Sequence, residues 1–371
     1  MARQSLRLRV DDPGRLEIVD PGFDELPLLQ AFDSGYEVRN SPLPEFTAPR
    51  FLAARHVGCG VLAQHLYKSS EVQLWDIHAA VLAGVRFVHR RADLHEATLL
   101  DLKIELARRI LQHCSLCAHR CGVNRTKGET GICRLGMGAT VAEHFVHIAE
   151  EAPINPSLVV SLAGCGLRCR FCQQGSLLDP ASVTGEPLEP PLWNRLDTAG
   201  ARSLSFVGGN PDESLYAILK FLAAAPADWK LSIVWNCHGA ATLETIDLLD
   251  GIVDVYLPDL KYGAEACGRR LSMITDYPTS AKAAITAMVA QRVPVIVRIL
   301  VLPGHQACCH RPALEWLTSL AAPHVMVSVR GQYCPDWKIT EVDGVLARRP
   351  SQEETDQIRR YAQHLGLNLV D

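Results

Sequence analysis

Short apolar runs recur through the second half of the chain and alternate with amphipathic segments. Runs that are apolar on both faces are typical of parallel strands covered by helices. Amphipathic segments begin at Asp212, Thr242 and Thr279, and Ser351 followed by two glutamates predicts the start of a closing helix. Six strands alternating with helices predict parallel βα units wound into a sheet or partial barrel. The predicted strands are 157–164, 203–209, 231–236, 253–260, 293–302 and 324–331.

The first 92 residues carry a weaker pattern, which we interpret as a mainly helical N-terminal extension. Residues 45–70 and 72–91 have compositions compatible with helices, and 93–114 is predicted to be a helix. The predicted organisation is therefore an extension over 1–92, a helix with a cysteine-rich segment over 93–150, and a βα domain over 151–371.

Composition and charge exclude several classes of function. The chain has 371 residues, of which 48% are hydrophobic and 21% charged, so it can bury a large core. A net charge of −4 argues against sequence-independent binding of nucleic acid. The N-terminus lacks the apolar run of a signal peptide, and no stretch of about twenty apolar residues occurs. We expect a cytoplasmic protein with neither nucleic-acid nor membrane partners.

Thirteen cysteines are unusual for a protein of a reducing compartment, where clustered thiols more often bind metals than form disulfides. Seven of them fall into two clusters, Cys114, Cys117, Cys121 and Cys133, and then Cys165, Cys169 and Cys172. The other six are scattered, and we expect them to be small buried side chains. They are Cys59, Cys237, Cys267, Cys308, Cys309 and Cys334.

The second cluster lies in the sequence GCGLRCRFCQQ, residues 164–174, here called the three-cysteine loop. Thiolates are the ligands that iron–sulfur clusters select, and a cubane cluster needs four iron ligands. Three cysteines leave one iron open to an outside chelate, whereas a closed structural zinc site would need four protein ligands. The spacing therefore predicts a [4Fe–4S] cluster with one open iron.

Polar or glycine-rich residues follow every predicted strand. The three-cysteine loop follows the first, and the next five end in GGNP, WNCHG, DLKYG, VLPGH and RGQY. The carboxyl ends of parallel strands meet at one edge, where α/β proteins carry their chemistry. We therefore expect the six motifs to surround a single mouth.

These motifs resemble the radical S-adenosylmethionine (SAM) superfamily, and within it the PflX-like branch of the pyruvate formate-lyase activating enzyme family. The similarity covers residues 95 to 371, including CSLCAHRCGVNRTKGETGIC, EEAPINPS, FVGGNPDESL, VWNCHGAATLETIDLLDGIVDVYLPDLKYG and QYCPDWKI. Gly166 and Gln174 stand where the family's loop more often has asparagine.

The resemblance implies a partial (β/α)6 barrel that binds a [4Fe–4S] cluster at Cys165, Cys169 and Cys172, together with SAM. The open iron would chelate SAM, and an electron would cleave it to methionine and a 5′-deoxyadenosyl radical that abstracts hydrogen from an unidentified substrate. An electron donor such as flavodoxin or ferredoxin is implied as a partner.

The resemblance also suggests residues that contact SAM. Gly208, Gly209 and Asn210 resemble the superfamily's glycine motif, in which backbone without side chains approaches the ammonium group. Asn236 and His238 are candidates for bonding the ribose hydroxyls or for capping. Phe171 would pack near the adenine or in the core.

Charged residues around the mouth are candidates for binding substrate. Asp259 and Lys261, two apart on one strand, project to the same face and form either a substrate contact or a structural ion pair. Arg298, inside an apolar strand, needs a carboxylate, supplied by SAM, by the substrate or by Asp259. His305 and Gln332 complete this set.

The first cluster, residues 114–133, is here called the knuckle. Its four cysteines suffice for a tetrahedral zinc ion or an auxiliary iron–sulfur cluster, and the sequence does not decide between them. The knuckle precedes the barrel, whereas the extra clusters of glycyl-radical activases follow the three-cysteine loop. Two alternatives to a radical SAM enzyme of unknown substrate stay open: an activase acting on a protein glycine, and a non-catalytic iron–sulfur carrier or sensor.

Overall fold

The computed structural model describes residues 8–10, 16–18, 48–85, 91–320, 322–335 and 337–370. The first two of these segments form a small antiparallel hairpin, β1 (Leu8–Val10) and β2 (Leu16–Ile18). The predicted helix over 45–70 begins outside the described residues.

An eight-stranded sheet forms the centre of the molecule. Its strands are β5 (Thr140–His147), β6 (Ser157–Leu162), β7 (Glu186–Pro187), β8 (Ser203–Gly208), β9 (Ser232–Cys237), β10 (Val255–Pro258), β11 (Val295–Leu300) and β12 (Val325–Arg330). Their order is β12-β11-β10-β9-β8-β6-β5-β7, and the six strands from β6 to β12 other than β7 are parallel. Strand β5 runs antiparallel to both β6 and β7. The predicted parallel α/β architecture is confirmed, because all six predicted strands are present and neighbours in the chain are neighbours in the sheet.

Helices connect the parallel strands from β8 onward. They are α5 (Leu215–Ala223), α6 (Leu243–Leu249), α7 (Glu265–Ser272), α8 (Tyr277–Ala290), α9 (Arg311–Thr318) and the closing α10 (Gln352–His364). The predicted start of α10 is confirmed, since Ser351 and Glu354 form a capping box. The connection from β6 to β8 differs, because residues 163–202 contain β7 and three short 3₁₀ turns and no α-helix.

The two faces of the sheet have different surroundings. Side chains on successive positions of a strand point to opposite faces, so Trp235 and Tyr256 join the large core shared with the helices. The other face carries a small separate apolar cluster of Ile154, Val234, Val255, Leu257 and Ile296. Two residues further along three of these strands, the same face carries Asn236, Asp259 and Arg298. This inner face is therefore apolar near the middle of the strands and polar at their carboxyl ends.

The N-terminal region is less helical than the sequence suggested. It contains α1 (Arg50–Ala54), β3 (Gly58–Leu62), α2 (Ala63–Leu66) and α3 (Glu71–Val85), followed by β4 (Glu96–Thr98) and α4 (Leu99–Ile110). Strand β3 interrupts the expected helix over 45–70 and pairs with β4. Two glycines explain the interruption: glycine is a poor helix former, and Gly60 adopts a φ of 73°.

Helix α4 attaches this region to the βα domain. A capping box at Thr98 and Asp101 starts the helix, and its apolar side chains pack against α5 and α6. Lys103, fully buried on α4, places its Nζ 2.7 Å from His78 Nε2 and 3.2 Å from the Asp247 carbonyl oxygen. None of the described helices is both long enough and apolar enough to cross a membrane.

Candidate functional site

A cavity of about 400 Å³ opens on the inner face at the carboxyl ends of the parallel strands. This volume falls within the range of about 300–1,000 Å³ that is usual for small-molecule sites. The predicted site residues that line it are Cys165, Cys169, Phe171, Cys172, Gly208, Gly209, Asn210, Asn236, His238, Asp259, Lys261, Arg298 and Gln332. The structure therefore brings residues from all six strand ends to one mouth.

The three-cysteine loop rests on the end of helix α7. The backbone N–H of Arg168 donates to the carbonyl of Ser272 at 3.0 Å, and that of Arg170 donates to Leu271 at 2.8 Å. The Ser272 hydroxyl donates to Cys169 Sγ at 2.9 Å. These contacts fix the loop from outside the cavity while its three thiols line the cavity.

The environment of the three thiols suits a cationic partner. Burial raises the pKa of Cys165 and of Cys169, so these thiols stay protonated until a metal stabilises their thiolates. Burial by itself would lower the pKa of Lys261, but its ion pair with Asp259 outweighs burial and raises that pKa to about 12. The resulting ammonium lies near Cys169 and Cys165 and favours negative charge on them.

The distances between the thiols of the three-cysteine loop differ from those of a site for a single metal ion. Within the described part of the chain, three metal-binding atoms within 4.8 Å of one another occur at one place, and it is not this loop. The sulfurs of Cys165, Cys169 and Cys172 therefore do not all lie within 4.8 Å of one another, and an iron–sulfur cluster, whose cysteines ligate different irons, does not require them to.

A buried polar network around Glu213 contacts the three-cysteine loop. Glu213 accepts hydrogen bonds from the Gly166 N–H at 2.9 Å, from Asn210 Nδ2 at 2.5 Å and from His238 Nε2 at 3.1 Å. Burial would raise the pKa of Glu213, but His238 and these hydrogen bonds outweigh it and lower the pKa to about 2. A β-carbon on Gly166 would stand 2.3 Å from Glu213 Oε1, so glycine suits this position where the family's loop more often has asparagine.

The polar side-chain atoms of Asn210 and His238 form hydrogen bonds within this network. Asn210 Oδ1 accepts from the His238 N–H at 2.9 Å, and its Nδ2 also donates to Asp212 at 3.0 Å. His238 Nδ1 accepts from the Ala240 N–H at 3.0 Å. Both residues line the cavity, but their side chains hold protein groups, which is the capping alternative predicted for His238.

Gly208 and Gly209 pack against the neighbouring backbone. Gly208 has a φ of 95°, and a β-carbon there would stand 2.4 Å from the Leu162 nitrogen. A β-carbon on Gly209 would stand 2.0 Å from the carbonyl oxygen of Gly164, immediately before Cys165. The sequence suggested that these glycines make room for SAM. The structure shows that the first need for glycine here is the contact with β6 and the three-cysteine loop.

Two ion pairs lie at the strand ends. Lys261 Nζ contacts Asp259, as their two-residue spacing predicts. Arg298 pairs with Glu150 and Glu151, and its Nε lies 2.6 Å from Glu151 Oε1. The carboxylates that pair with this half-buried arginine are thus those of the EEAPINPS motif and not that of Asp259.

The remaining predicted residues lie in different places. Phe171 lies edge-on to Tyr333 with ring centroids 5.5 Å apart, at the cavity wall, and the Gln332 carbonyl accepts from Gln173 Nε2 at 3.0 Å. His305 does not line the cavity. It is buried in the segment after β11 and lies apart from the substrate candidates that line the cavity.

The knuckle packs directly against the three-cysteine loop. His119 Nε2 lies 2.8 Å from the Gly166 carbonyl oxygen, and a β-carbon on Gly166 would stand 3.2 Å from Cys117 Sγ. Within the knuckle, the N–H of Gly122 donates to the Cys114 carbonyl at 2.9 Å. No three of the four knuckle thiols lie within 4.8 Å of one another among the described residues. Their metal stays a prediction.

Sequence reasoning missed the supporting residues Glu213, Ser272 and Tyr333. Glu213 stands in the quoted FVGGNPDESL motif, so its place after a strand end was a usable signal. Ser272 lies more than a hundred residues from Cys169, and no local pattern marks their contact.

Comparison with known proteins gives one close relative and several distant structures. No family model matches the chain. The uncharacterized protein MJ0674 of Methanocaldococcus jannaschii is 33% identical over 309 residues, which cover 80% of this chain and 89% of MJ0674.

The similar solved structures share less. A domain of a pyruvate-formate lyase-activating enzyme from Bacteroides vulgatus has a TM-score of 0.30 and 18% identity, covering 38% of this chain and 80% of that one. Streptococcus suis SuiB bound to the precursor peptide SuiA has a TM-score of 0.41 and 13% identity, covering 79% of this chain and 59% of that one. SuiB bound to S-adenosylmethionine has a TM-score of 0.38 and 14% identity, covering 55% and 47%. On its identity and coverage with MJ0674, the chain belongs to the MJ0674 family.

Proposed function

We propose that the protein is a radical SAM enzyme that binds a [4Fe–4S] cluster at Cys165, Cys169 and Cys172. The observation that carries the proposal is the position of these three thiols. They come from one loop after the first parallel strand and line a cavity that residues from the other five strand ends complete. An electron carrier would need the thiols but no cavity beside them.

The chain's own residues would perform the positioning. Ser272 and the backbone of α7 hold the three-cysteine loop, and Glu213 holds it from the opposite side. Lys261, half-buried and paired with Asp259, offers positive charge beside the thiols. When bound, the reduced cluster supplies an electron that cleaves SAM to methionine and a 5′-deoxyadenosyl radical.

We further propose that the knuckle binds a metal through Cys114, Cys117, Cys121 and Cys133. The support is Arg125, a buried arginine whose guanidinium donates to the carbonyl oxygens of Gly136 and Glu213 and lies 4.0 Å from Cys114 Sγ. No carboxylate of the described residues forms a salt bridge with Arg125. A buried cation without such a partner is costly, and a thiolate-bound metal with net negative charge would offset this cost. Zinc and an iron–sulfur cluster would both do so.

Binding of SAM at the cluster distinguishes the enzyme from a carrier. The chain is purified and reconstituted without oxygen, reduced, and examined by electron paramagnetic resonance with and without SAM. We expect a [4Fe–4S] signal that changes when SAM is added, because SAM reaches the open iron. An unchanged signal, together with no SAM binding by calorimetry, would favour the carrier or sensor and contradict the proposal.

A further inference from the structure

Three metal-binding side chains meet outside the cavity, between helix α7 and the segment after β11. Cys267 lies on α7, and His305 and Cys308 lie at the π-helical turn Gln306–His310. Their ligand atoms are all within 4.8 Å of one another. We propose that Cys267, His305 and Cys308 form a zinc site that joins α7 to this turn. By sequence alone, Cys267 and Cys308 are scattered thiols, because they are forty-one positions apart.

The distance between the two sulfurs fits one tetrahedral ion. Cys267 Sγ and Cys308 Sγ are 3.8 Å apart. Two thiolates, each about 2.3 Å from a zinc ion at the tetrahedral angle, lie about 3.8 Å from each other. A disulfide would need about 2.05 Å. The thiols therefore already stand at the separation that zinc imposes.

His305 presents the nitrogen that a metal needs. Its Nδ1 lies 2.8 Å from the Pro303 carbonyl oxygen and donates its proton there, which leaves Nε2 as the nitrogen that carries the lone pair. Arg270 Nη2 lies 3.3 Å from Nε2, and its exposed side chain can turn into solvent when an ion takes this place.

The donor set favours zinc over magnesium and calcium. Two thiolates and an imidazole suit zinc, whereas magnesium and calcium require oxygen ligands. Cys308 is exposed, so a water molecule can reach the ion as fourth ligand.

The position of α7 gives the site a structural role. Cys267 lies in the first turn of the helix, while Ser272 at its end donates to Cys169 Sγ and accepts from the Arg168 N–H. Zinc at Cys267 would fix the helix that supports the three-cysteine loop. The site itself does not depend on the radical SAM proposal.

Zinc content and affinity test the site in the full-length chain. Wild type, Cys308→Ala, His305→Gln and the control Cys59→Ala are purified without oxygen, and zinc per chain is measured by elemental analysis. Cys308 is exposed, so its replacement leaves the core intact, and Cys59 is a buried thiol far away in strand β3. We expect one zinc fewer in Cys308→Ala and in His305→Gln than in the other two. In competition with a chromophoric chelator, zinc affinity at this site should fall more than the 10- to 100-fold that loss of an outer-shell partner causes.

Two results would overturn the site. One is an equal zinc content in all four proteins. The other is a Cys267–Cys308 disulfide without zinc, found by mass spectrometry in the anaerobic protein, since a redox pair would also survive His305→Gln. The zinc count does not depend on whether SAM is cleaved, so this proposal and the radical SAM proposal fail separately.

Discussion

Gly209 illustrates how one residue can carry two requirements. The sequence predicts that Gly209 makes room for SAM, so that a side chain there would weaken SAM binding and leave the iron in place. The structure places the Gly164 carbonyl 2.0 Å from the position of a β-carbon on Gly209, one residue before Cys165. Backbone cannot yield as a side-chain end does, so the substitution must displace the three-cysteine loop.

Gly209→Ala should therefore lower iron content and SAM affinity together. Overpacking of this kind typically costs about 1–3 kcal/mol of unfolding free energy, so the thermal midpoint should fall as well. Iron analysis, calorimetry with SAM and thermal unfolding on one sample measure all three. Gly138→Ala is the matched control, because Gly138 has open space around it and an ordinary φ. Full iron occupancy in Gly209→Ala would refute the loop contact as the reason for glycine.

At the scale of elements, an ion-pair network joins the segment after β5 to the ends of β11 and β12. Glu151 is buried, and its Oε1 accepts from Arg298 at 2.6 Å and from Arg330 at 3.0 Å. Burial alone would raise the pKa of Glu151, but the two guanidinium groups outweigh it and lower the pKa from 4.5 to about 2. A lowered carboxyl pKa stabilises the fold above pH 4.5, and this contribution is lost as the pH falls toward 2.

Glu151→Gln should accordingly cost stability at pH 7, by about 3–5 kcal/mol as for one partner of a buried ion pair, and much less at low pH. Urea unfolding of both proteins between pH 7 and pH 3 measures the difference. The difference in unfolding free energy between wild type and Glu151→Gln should become smaller below about pH 4.5. Glu143→Gln, at an exposed position, should show little difference at any pH. A gap that stays constant over this range would show that the carboxylate charge of Glu151 does not stabilise the fold.

The strands were predictable where both of their faces are buried. Strands such as Val295–Leu300 are apolar on both faces, and this pattern distinguished them from surface segments. Strand β3 was missed because its exposed and half-buried positions give no such pattern, and its partner β4 lies more than thirty residues away. Local sequence does not record which distant segment completes a two-stranded pair.

At the scale of the whole molecule, the sequence predicted that the strand ends meet at one cavity. It predicted less well which side chains contact one another there. The parallel order of the strands brings every strand end to one edge, so the motifs had to converge. Which side chains are free at that edge depends on long-range partners. His238 is held by Glu213, Arg298 by Glu151, and His305 turns away from the cavity toward Cys267.

The central claim is that three thiols of one loop hold the group that cleaves SAM. The most direct measurement is 5′-deoxyadenosine formed from SAM by the reconstituted, reduced protein without oxygen. We predict steady formation by wild type and by Cys59→Ala, and none by the triple variant Cys165→Ala, Cys169→Ala and Cys172→Ala, whose folding circular dichroism would verify. A folded triple variant that still forms 5′-deoxyadenosine, or a fully reconstituted wild type that forms none, would contradict the account.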